Sequence, residues 1–274
     1  MKKKLLIIGK NSFISINIKN DLKKDLIIKS VNFASFLSLK IDYIKKFDFI
    51  INCSINNNYI NTKYNIKNDL DFIIADKIKN LRCIFVFLST RKVYNANDNI
   101  LETSFLKPKC NYSKNKLKTE IILKKILKDK VLILRLSNLI GIRAKKNLER
   151  KKHNIFVDHF FNNIKKNIVI DNQKMYKDFI SIGQFTTIFK KLISCSANGT
   201  YNVSIGKKVH LNNVINWLNY YNSRDIKLQK PLNNYNKDCF YLNNKKLEKK
   251  IGFKIKISDL KKDCMEISKK HFNK

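Results

Sequence analysis

The feature that most constrains this chain is the alternation of short apolar runs with longer amphipathic stretches over its first 136 residues. The apolar runs are rich in β-branched and aromatic side chains, and they lie at 5–8, 26–29, 47–53, 83–89 and 131–136. Runs of this length are typical of strands that are buried on both faces of a sheet. The stretches between them, at 13–24, 65–80 and 112–128, have helical spacing.

Strand–helix alternation of this kind predicts an α/β fold with a doubly wound parallel sheet of the Rossmann type and right-handed crossovers. In the third predicted helix we expect Leu117, Ile121, Ile122 and Leu127 to form the buried face. After Gly141 the rhythm is less regular, with a basic stretch at 143–153 before further short helices and strands. This second part predicts a smaller C-terminal lobe that is intertwined with the first domain.

The composition constrains partners and compartment. The formal charge is +36, but 51 lysines stand against 6 arginines, and nucleic-acid binders favour arginine for base contacts. The excess of Lys, Asn and Ile follows A/T-rich codons, so we expect no nucleic-acid partner; salt-dependent binding to DNA would support the alternative of a basic nucleic-acid binder. Six scattered cysteines without a C-x-x-C pair indicate a reduced, cytoplasmic compartment and no metal site. No apolar run is long enough to span a membrane.

The first predicted strand continues into "GKNSFIS", residues 9–15, and then a helix. A strand–glycine–helix turn offers backbone N–H groups and a helix N-terminus to a dinucleotide pyrophosphate. The usual pattern has two further glycines, where this chain has Ser12 and Ser15. The alternative is an ordinary strand–helix turn. The residues predicted to bind a cofactor in this loop are Gly9, Asn11, Ser12, Phe13 and Ile14.

Three Tyr-x-x-x-Lys pairs occur, and about two are expected by chance in a chain so rich in lysine. Only Tyr112 and Lys116 open a predicted helix that follows a strand ending in Ser89 and Thr90. A lysine one helical turn away lowers the pKa of a phenol, which then exchanges protons with a substrate oxygen. This context makes Tyr112 and Lys116 the candidate pair among the three.

Five segments in order, "LLIIGKNSFIS", "FDFIINCS", "FVFLSTRKVY", "NYSKNKLKTE" and "LRLSNLIG", resemble the extended short-chain dehydrogenase/reductases of the NAD-dependent epimerase/dehydratase family. "KDFISI", "GTYNVSIG" and "KKLEKKIGF" fit the same family, so the resemblance covers nearly the whole chain. It implies that Thr90, Tyr112 and Lys116 are catalytic, so we interpret the pairs at 59/63 and 241/245 as chance. It also implies an NAD(P) cofactor and a nucleotide-sugar substrate for surface polysaccharide synthesis, and it allows a homodimer. The further residues that it places along the cofactor are Asn52, Cys53, Ser54 and Ser89, together with Tyr112 and Lys116.

The resemblance also implies a division of the chain and a substrate site. We expect a dinucleotide-binding domain over 1–150, to which 178–205 returns, and a substrate lobe made of 151–177 and 206–274. The residues expected near the substrate are Arg91, Asn138, His153 and Asp178. For Asp178 the alternative is a turn or cap residue. Asn32 stands about where an acidic residue would favour NAD, so NADP is slightly preferred over NAD.

The two residues after Thr90 reduce the number of reactions to be considered for this family. The dehydratases that the chain resembles carry an Asp-Glu pair there, and the bifunctional epimerase-reductases carry a cysteine at the second position. Here the two positions are Arg91 and Lys92, which disfavours both reactions. What remains is hydride transfer at a sugar 4-position by a 4-ketoreductase similar to the dTDP-4-dehydrorhamnose reductases. The alternatives are a nucleotide-sugar 4-epimerase and a non-enzymatic dinucleotide-binding protein on the same fold.

Overall fold

The computed structural model describes residues 2–142, 156–165, 168–170, 175–223, 227–229 and 238–272. The strands are β1 Lys4–Ile8, β2 Ile27–Val31, β3 Phe49–Asn52, β4 Ile84–Thr90, β5 Val131–Leu136, β6 Asn138–Ile140, β7 Ile168–Ile170, β8 Tyr176–Lys177, β9 Phe179–Ser181, β10 Gly199–Val203, β11 Val209–His210 and β12 Lys227–Gln229. The helices are α1 Phe13–Leu22, α2 Phe33–Leu37, α3 Ile41–Ile44, α4 Asn57–Asn61, α5 Leu70–Ile78, α6 Asn111–Leu127, α7 Phe156–Lys165, α8 Ile182–Ser194, α9 Leu211–Asn219, α10 Lys245–Ile251 and α11 Ile257–Phe272.

The centre of the fold is a six-stranded sheet with the order β10-β5-β4-β3-β1-β2, in which every paired strand is parallel. The prediction of a doubly wound parallel sheet is confirmed. The five predicted strands of the first 136 residues are β1 to β5, and their bounds agree within about two residues. The short helices α2, α3 and α4 and the strand β6 were not predicted.

Both faces of the sheet are buried, as the uninterrupted apolar runs require. In β1, Leu5 and Ile7 belong to one core cluster, whereas Leu6 and Ile8 belong to the cluster on the opposite face, and none of the four is exposed. The first cluster includes residues of α1 and α8, and the second includes residues of α5 and α6. Helices therefore cover the sheet from both sides and bury alternate residues of each central strand.

The second half of the chain adds smaller sheets to this frame. β6 pairs in parallel with β9, β7 pairs in parallel with β12, and β8 pairs antiparallel with β11. From the segment 178–205, β10 extends the main sheet beside β5. α9 packs against α11. The assignment of 151–177 and 206–274 to a substrate lobe stays a prediction.

The predicted buried face of α6 is correct at Leu127 and wrong at Ile121. Ile121 is 57% exposed, whereas the residues that α6 buries include a series of polar ones. Leu123 and Leu127 supply the apolar part of that face. The buried polar residues of α6 are Ser113, Asn115, Lys116, Thr119 and Glu120. The helix turns this polar stripe inward because the stripe finds hydrogen-bonding and ionic partners on the neighbouring elements.

Candidate active site

The strand order reverses between β1 and β3. From β1 the chain goes outward to β2 and then returns to place β3 on the other side of β1. In open α/β sheets the crevice outside the carboxyl ends of the strands at such a reversal is where ligands bind. Gly9 follows β1 at this point, and Cys53 and Ser54 follow β3. The two segments predicted to hold a cofactor therefore meet at the edge of the sheet.

Gly9 occupies a position that no other residue would fill without strain. Its φ is +93°, and a Cβ atom there would lie 2.5 Å from Ser54 Oγ and 2.8 Å from the Ser54 backbone nitrogen. The Gly9 backbone N–H donates to Val31 O at 2.8 Å, so the loop also touches the end of β2. A dinucleotide pyrophosphate site needs such a close passage of the backbone, so Gly9, Ser54 and the start of α1 form the candidate cofactor cradle.

The start of α1 completes the cradle despite its two serines. Ser12 is the N-cap, and its Oγ accepts a hydrogen bond from the Ser15 N–H at 3.1 Å. The Ser12 side chain also bonds the Cys53 thiol, whose pKa burial raises to about 12. Ser15 is fully buried, as the small residue at the third position must be. Asn11 is exposed at the turn, and Phe13 and Ile14 are half-buried.

Thr90 and Tyr112 come together at the end of β4. Thr90 is the last residue of that strand, and its Oγ1 accepts from the Lys92 N–H at 3.2 Å. A hydrogen bond also joins the Thr90 and Tyr112 side chains. Tyr112 lies in the first turn of α6, where the Cys110 N–H donates to Ser113 Oγ at 3.2 Å and that hydroxyl donates to Cys110 O at 2.9 Å. This capping arrangement fixes where α6 begins, and hence where Tyr112 lies.

Lys116 lies one turn further along α6, and its ammonium group is buried. Its Nζ is 3.5 Å from Asp71 Oδ2 and 4.4 Å from the centre of the Phe87 ring. The Lys116 and Asp71 side chains are 6% and 7% exposed. Asp71 belongs to α5, and the sequence analysis did not predict it. No motif of the sequence singles out one acid among those of the stretch 65–80.

Burial raises the pKa of Tyr112. The positive charge of Lys116 lowers that pKa, as predicted, and the bond with Thr90 acts in the same direction. Asp71 opposes Lys116 by raising the pKa again. The expectation of a net lowered pKa is wrong because removal of the phenolate from water outweighs the attraction of an ammonium group that a carboxylate already partly neutralises.

Asn52 and Ser89 are held by side-chain hydrogen bonds within the protein. The Asn52 amide donates to Asp71 Oδ1 at 2.8 Å and to Ser54 O at 3.1 Å. Ser89 Oγ donates to the buried Glu120 carboxylate, which pairs with Arg135 at 2.5 Å. The Ser89 hydroxyl thus has a buried partner within the protein, so Ser89 would contact a cofactor through its backbone atoms.

Two of the predicted substrate residues, Asn138 and Asp178, are in contact with each other. Asn138 Nδ2 donates to Asp178 O at 3.0 Å. The Asp178 side chain is fully buried, and its carboxylate accepts from backbone N–H groups of Ile205, Gly206 and Leu242. These contacts match the alternative role of Asp178 as a residue that fixes turns, and they leave no exposed carboxylate oxygen for a substrate. His153 lies outside the residues that the structure describes.

Arg91 joins the segment after Thr90 to the C-terminal part of the chain. Its guanidinium makes a bidentate pair with Asp238, at 3.0 and 2.5 Å, and stacks 3.8 Å from the centre of the Phe240 ring. Arg91 and Asp238 also line a cavity of about 340 Å³ at the start of α6. The other residues that line this cavity are Lys92, Tyr94, Ala96, Lys109, Cys110 and Ser113.

Tyr59, interpreted from the sequence as half of a chance pair, is part of the site. It is buried on α4, its hydroxyl hydrogen-bonds Thr119 Oγ1 at 2.7 Å, and Lys116 Nζ lies 5.6 Å from the centre of its ring. The spacing from Tyr59 to Lys63 played no part in this placement. No signal in the sequence separates Tyr59 from the other tyrosines.

The fold and these contacts define a class of protein: a short-chain dehydrogenase/reductase, an enzyme whose Rossmann-type sheet carries a Tyr-x-x-x-Lys pair beside a dinucleotide cradle. The sequence profile of the NAD dependent epimerase/dehydratase family matches residues 24–204. The chain belongs to this family. No curated protein matches its sequence.

Solved structures of the same fold cover almost the whole chain at low identity. UDP-N-acetylglucosamine 4-epimerase from Methanobrevibacter ruminantium M1, in complex with UDP-N-acetylmuramic acid, has a TM-score of 0.80 and 20% identity over 100% of this chain and 99% of its own. RMD from Pseudomonas aeruginosa, complexed with NADPH, has a TM-score of 0.78 and 15% identity, covering 97% and 98%. A dTDP-4-dehydrorhamnose reductase from Clostridium acetobutylicum has a TM-score of 0.71 and 16% identity, covering 96% and 98%.

No helix in the part of the chain that the structure describes combines the length and apolar character needed to cross a bilayer.

Proposed function

We propose that this enzyme reduces a nucleotide-linked 4-keto-deoxysugar with a nicotinamide cofactor. The observation that carries the proposal is the continuous set of contacts from the cradle to the proton donor. Gly9 packs on Ser54, the Asn52 amide holds Asp71, and Asp71 pairs with Lys116 one turn from Tyr112. A protein that only bound a dinucleotide would not need a proton donor bonded to Thr90 at the same edge of the sheet.

The residues of the chain divide the work of the reaction. The N–H groups at the start of α1 would bind the pyrophosphate, which can approach the backbone closely because Gly9 has no side chain, and the Lys116 ammonium would bind the nicotinamide ribose. When bound, the reduced cofactor supplies the hydride, which adds to the carbonyl carbon at the sugar 4-position. Tyr112 gives its phenolic proton to the carbonyl oxygen, while the Thr90 hydroxyl hydrogen-bonds that oxygen. The raised pKa of Tyr112 keeps the phenol protonated before the transfer.

For the cofactor we propose NADP over NAD. Asn32 follows β2 and is the N-cap of α2, its Oδ1 accepting from the Ser35 N–H at 2.7 Å, so the position offers no carboxylate to a ribose hydroxyl. The Lys10 N–H donates to Val31 O at 3.1 Å, which places this exposed lysine next to the end of β2. A cation beside the adenosine ribose favours a 2′-phosphate. RMD, of the same fold, is complexed with NADPH.

The cavity at the start of α6 is the proposed entry for the sugar nucleotide. Its volume of about 340 Å³ falls in the range of small-molecule sites. Lys92 and Lys109 line it, and the Asp238 carboxylate is already paired with Arg91. The cavity is therefore positively charged and suits the phosphates of a nucleotide-linked substrate.

A 4-epimerase is the second candidate, favoured by the similarity to the Methanobrevibacter enzyme. Chain length does not distinguish a reductase from an epimerase, since 99% of that epimerase is covered. The two reactions differ in their use of the cofactor. A 4-ketoreductase consumes one reduced cofactor for each sugar, whereas a 4-epimerase oxidises and re-reduces the same carbon and consumes none.

The test is a panel of nucleotide-linked 4-keto sugars and 4-hydroxy sugars assayed with NADPH, NADH, NADP and NAD. With a substrate that the wild type turns over, Tyr112→Phe should lower turnover by about 10²–10⁴-fold, the usual size of a general-acid contribution, and leave cofactor binding intact. Lys116→Met should lower both turnover and cofactor affinity. Tyr241→Phe is the matched control and should behave as wild type. Full activity of Tyr112→Phe would overturn the assignment.

A further inference from the structure

Asp71 is in contact with Lys116, but the proposed reaction gives Asp71 no role. It lies in the first turn of α5, and its carboxylate reaches two separate elements. Oδ1 accepts from the Asn52 amide at the end of β3, at 2.8 Å. Oδ2 lies 3.5 Å from Lys116 Nζ on α6. The carboxylate is therefore fixed from one side and paired on the other.

Within the described part of the chain, Asp71 provides the carboxylate that pairs with Lys116. The ammonium group otherwise faces the rings of Phe87 and Tyr59, at 4.4 and 5.6 Å. Aromatic faces attract a cation, but more weakly than a carboxylate does at this depth. Without Asp71 an ammonium group that is 6% exposed would be left without a carboxylate partner.

The titratable groups around the Asp71–Lys116 pair lie on four elements. Asp69, which caps α5, is a second buried carboxylate whose Oδ1 accepts from the Phe72 N–H and whose Oδ2 accepts from Thr119. Tyr59 faces the pair from α4, Cys53 from the end of β3, and Tyr112 from α6. Burial raises the pKa of Asp71 to about 6 even with Lys116 beside it. A buried pair of this kind adds little net stability compared with apolar residues in its place, although removal of one partner alone is costly, so stability by itself does not explain the pair.

We infer that Asp71 is a positioning residue, the counter-ion that holds the Lys116 ammonium group and directs it at Tyr112 and the cofactor ribose. This inference rests on the proposed function. Asp71 acts in two ways through Lys116. It holds the ammonium group in place, and it moderates the effect of that charge on the Tyr112 phenol.

The perturbation is Asp71→Asn, which keeps the shape and the bond from Asn52 but removes the charge. In ketone reduction the alkaline limb of the pH–rate profile marks loss of the Tyr112 proton. The Asp71 charge raises the pKa of Tyr112, so without it this loss should occur at lower pH and the limb should move down by about one pH unit. Asp76→Asn on the same helix removes an exposed acid paired with Lys79 and should leave the limb unmoved.

A second measurement does not depend on activity. Asp71→Asn leaves a buried ammonium group unpaired, so its melting temperature should fall by about 5–10 °C at pH 7, and Asp71→Asn/Lys116→Met should recover much of that loss. If the wild type reduces no 4-keto sugar but the two variants are coupled in stability, the proposed reaction is wrong and the counter-ion stands. Additive losses in melting temperature, or an unmoved alkaline limb in an active Asp71→Asn, would overturn the inference.

Discussion

Gly9→Ala tests the closest backbone contact of the cofactor cradle. The substitution has two separable costs. The φ of +93° is one that L side chains rarely adopt, and the new Cβ would lie 2.5 Å from Ser54 Oγ, 2.8 Å from the Ser54 nitrogen and 2.9 Å from the Cys53 carbonyl carbon. Two of these three atoms belong to backbone, which cannot swing away as the end of a side chain can.

Gly199→Ala is the matched control for the first cost. Gly199 has a φ of +86° at the start of β10, and a Cβ there would meet nothing within 4 Å. Backbone strain of this kind costs about 1–3 kcal/mol. The smaller freedom of alanine in the unfolded chain offsets about 0.4–1 kcal/mol of that. We expect Gly199→Ala to lose about 1–2 kcal/mol of unfolding free energy.

Gly9→Ala carries the same strain and adds overpacking against β3, which costs about 1–3 kcal/mol. We expect a loss of about 2–5 kcal/mol, measured by urea unfolding followed by circular dichroism. NADPH affinity, measured by calorimetry, should fall in Gly9→Ala and be unchanged in Gly199→Ala. Equal losses of unfolding free energy in the two variants would refute the close packing of Gly9 on Ser54, and unchanged cofactor affinity in Gly9→Ala would refute its place in the cradle.

Two further outcomes follow from buried polar groups. Burial raises the pKa of Asp178 to about 7, so the wild type should lose stability as pH rises from about 4 to 7, where the folded protein must ionise an acid that the unfolded chain ionises more easily. Asp178→Asn cannot ionise and should therefore gain stability relative to wild type over that range in thermal melts; a pH-independent difference would contradict this. Tyr59→Phe should cost about 1 kcal/mol through the lost bond to Thr119, whereas no loss in urea unfolding would show that bond to be unimportant.

Local sequence pattern was sufficient to predict the central sheet and the candidate site residues that follow its strands. Mainly apolar runs predicted β1 to β5, because a strand covered on both faces buries most of its side chains, and a charged residue there, such as Arg135 in β5, needs a buried partner, here Glu120. Gly9 could be predicted as a site residue because the tight turn between a strand and a helix favours glycine. Tyr112 and Lys116 could be chosen because their spacing is that of one helical turn, after a strand that ends in Thr90.

The partners of these residues depend on how distant segments of the chain pack together. Asp71 precedes Lys116 by 45 positions, and the order of the elements in space brings α5 beside α6. Periodicity predicts where apolar residues go, and it failed in part on α6 because that helix buries a polar stripe that is satisfied by other elements. The predicted direction of the shift in the pKa of Tyr112 was also wrong, again because of packing by other elements. One turn of helix shows that a lysine is near, but burial and the opposing carboxylate of Asp71 are set by the packing of distant segments.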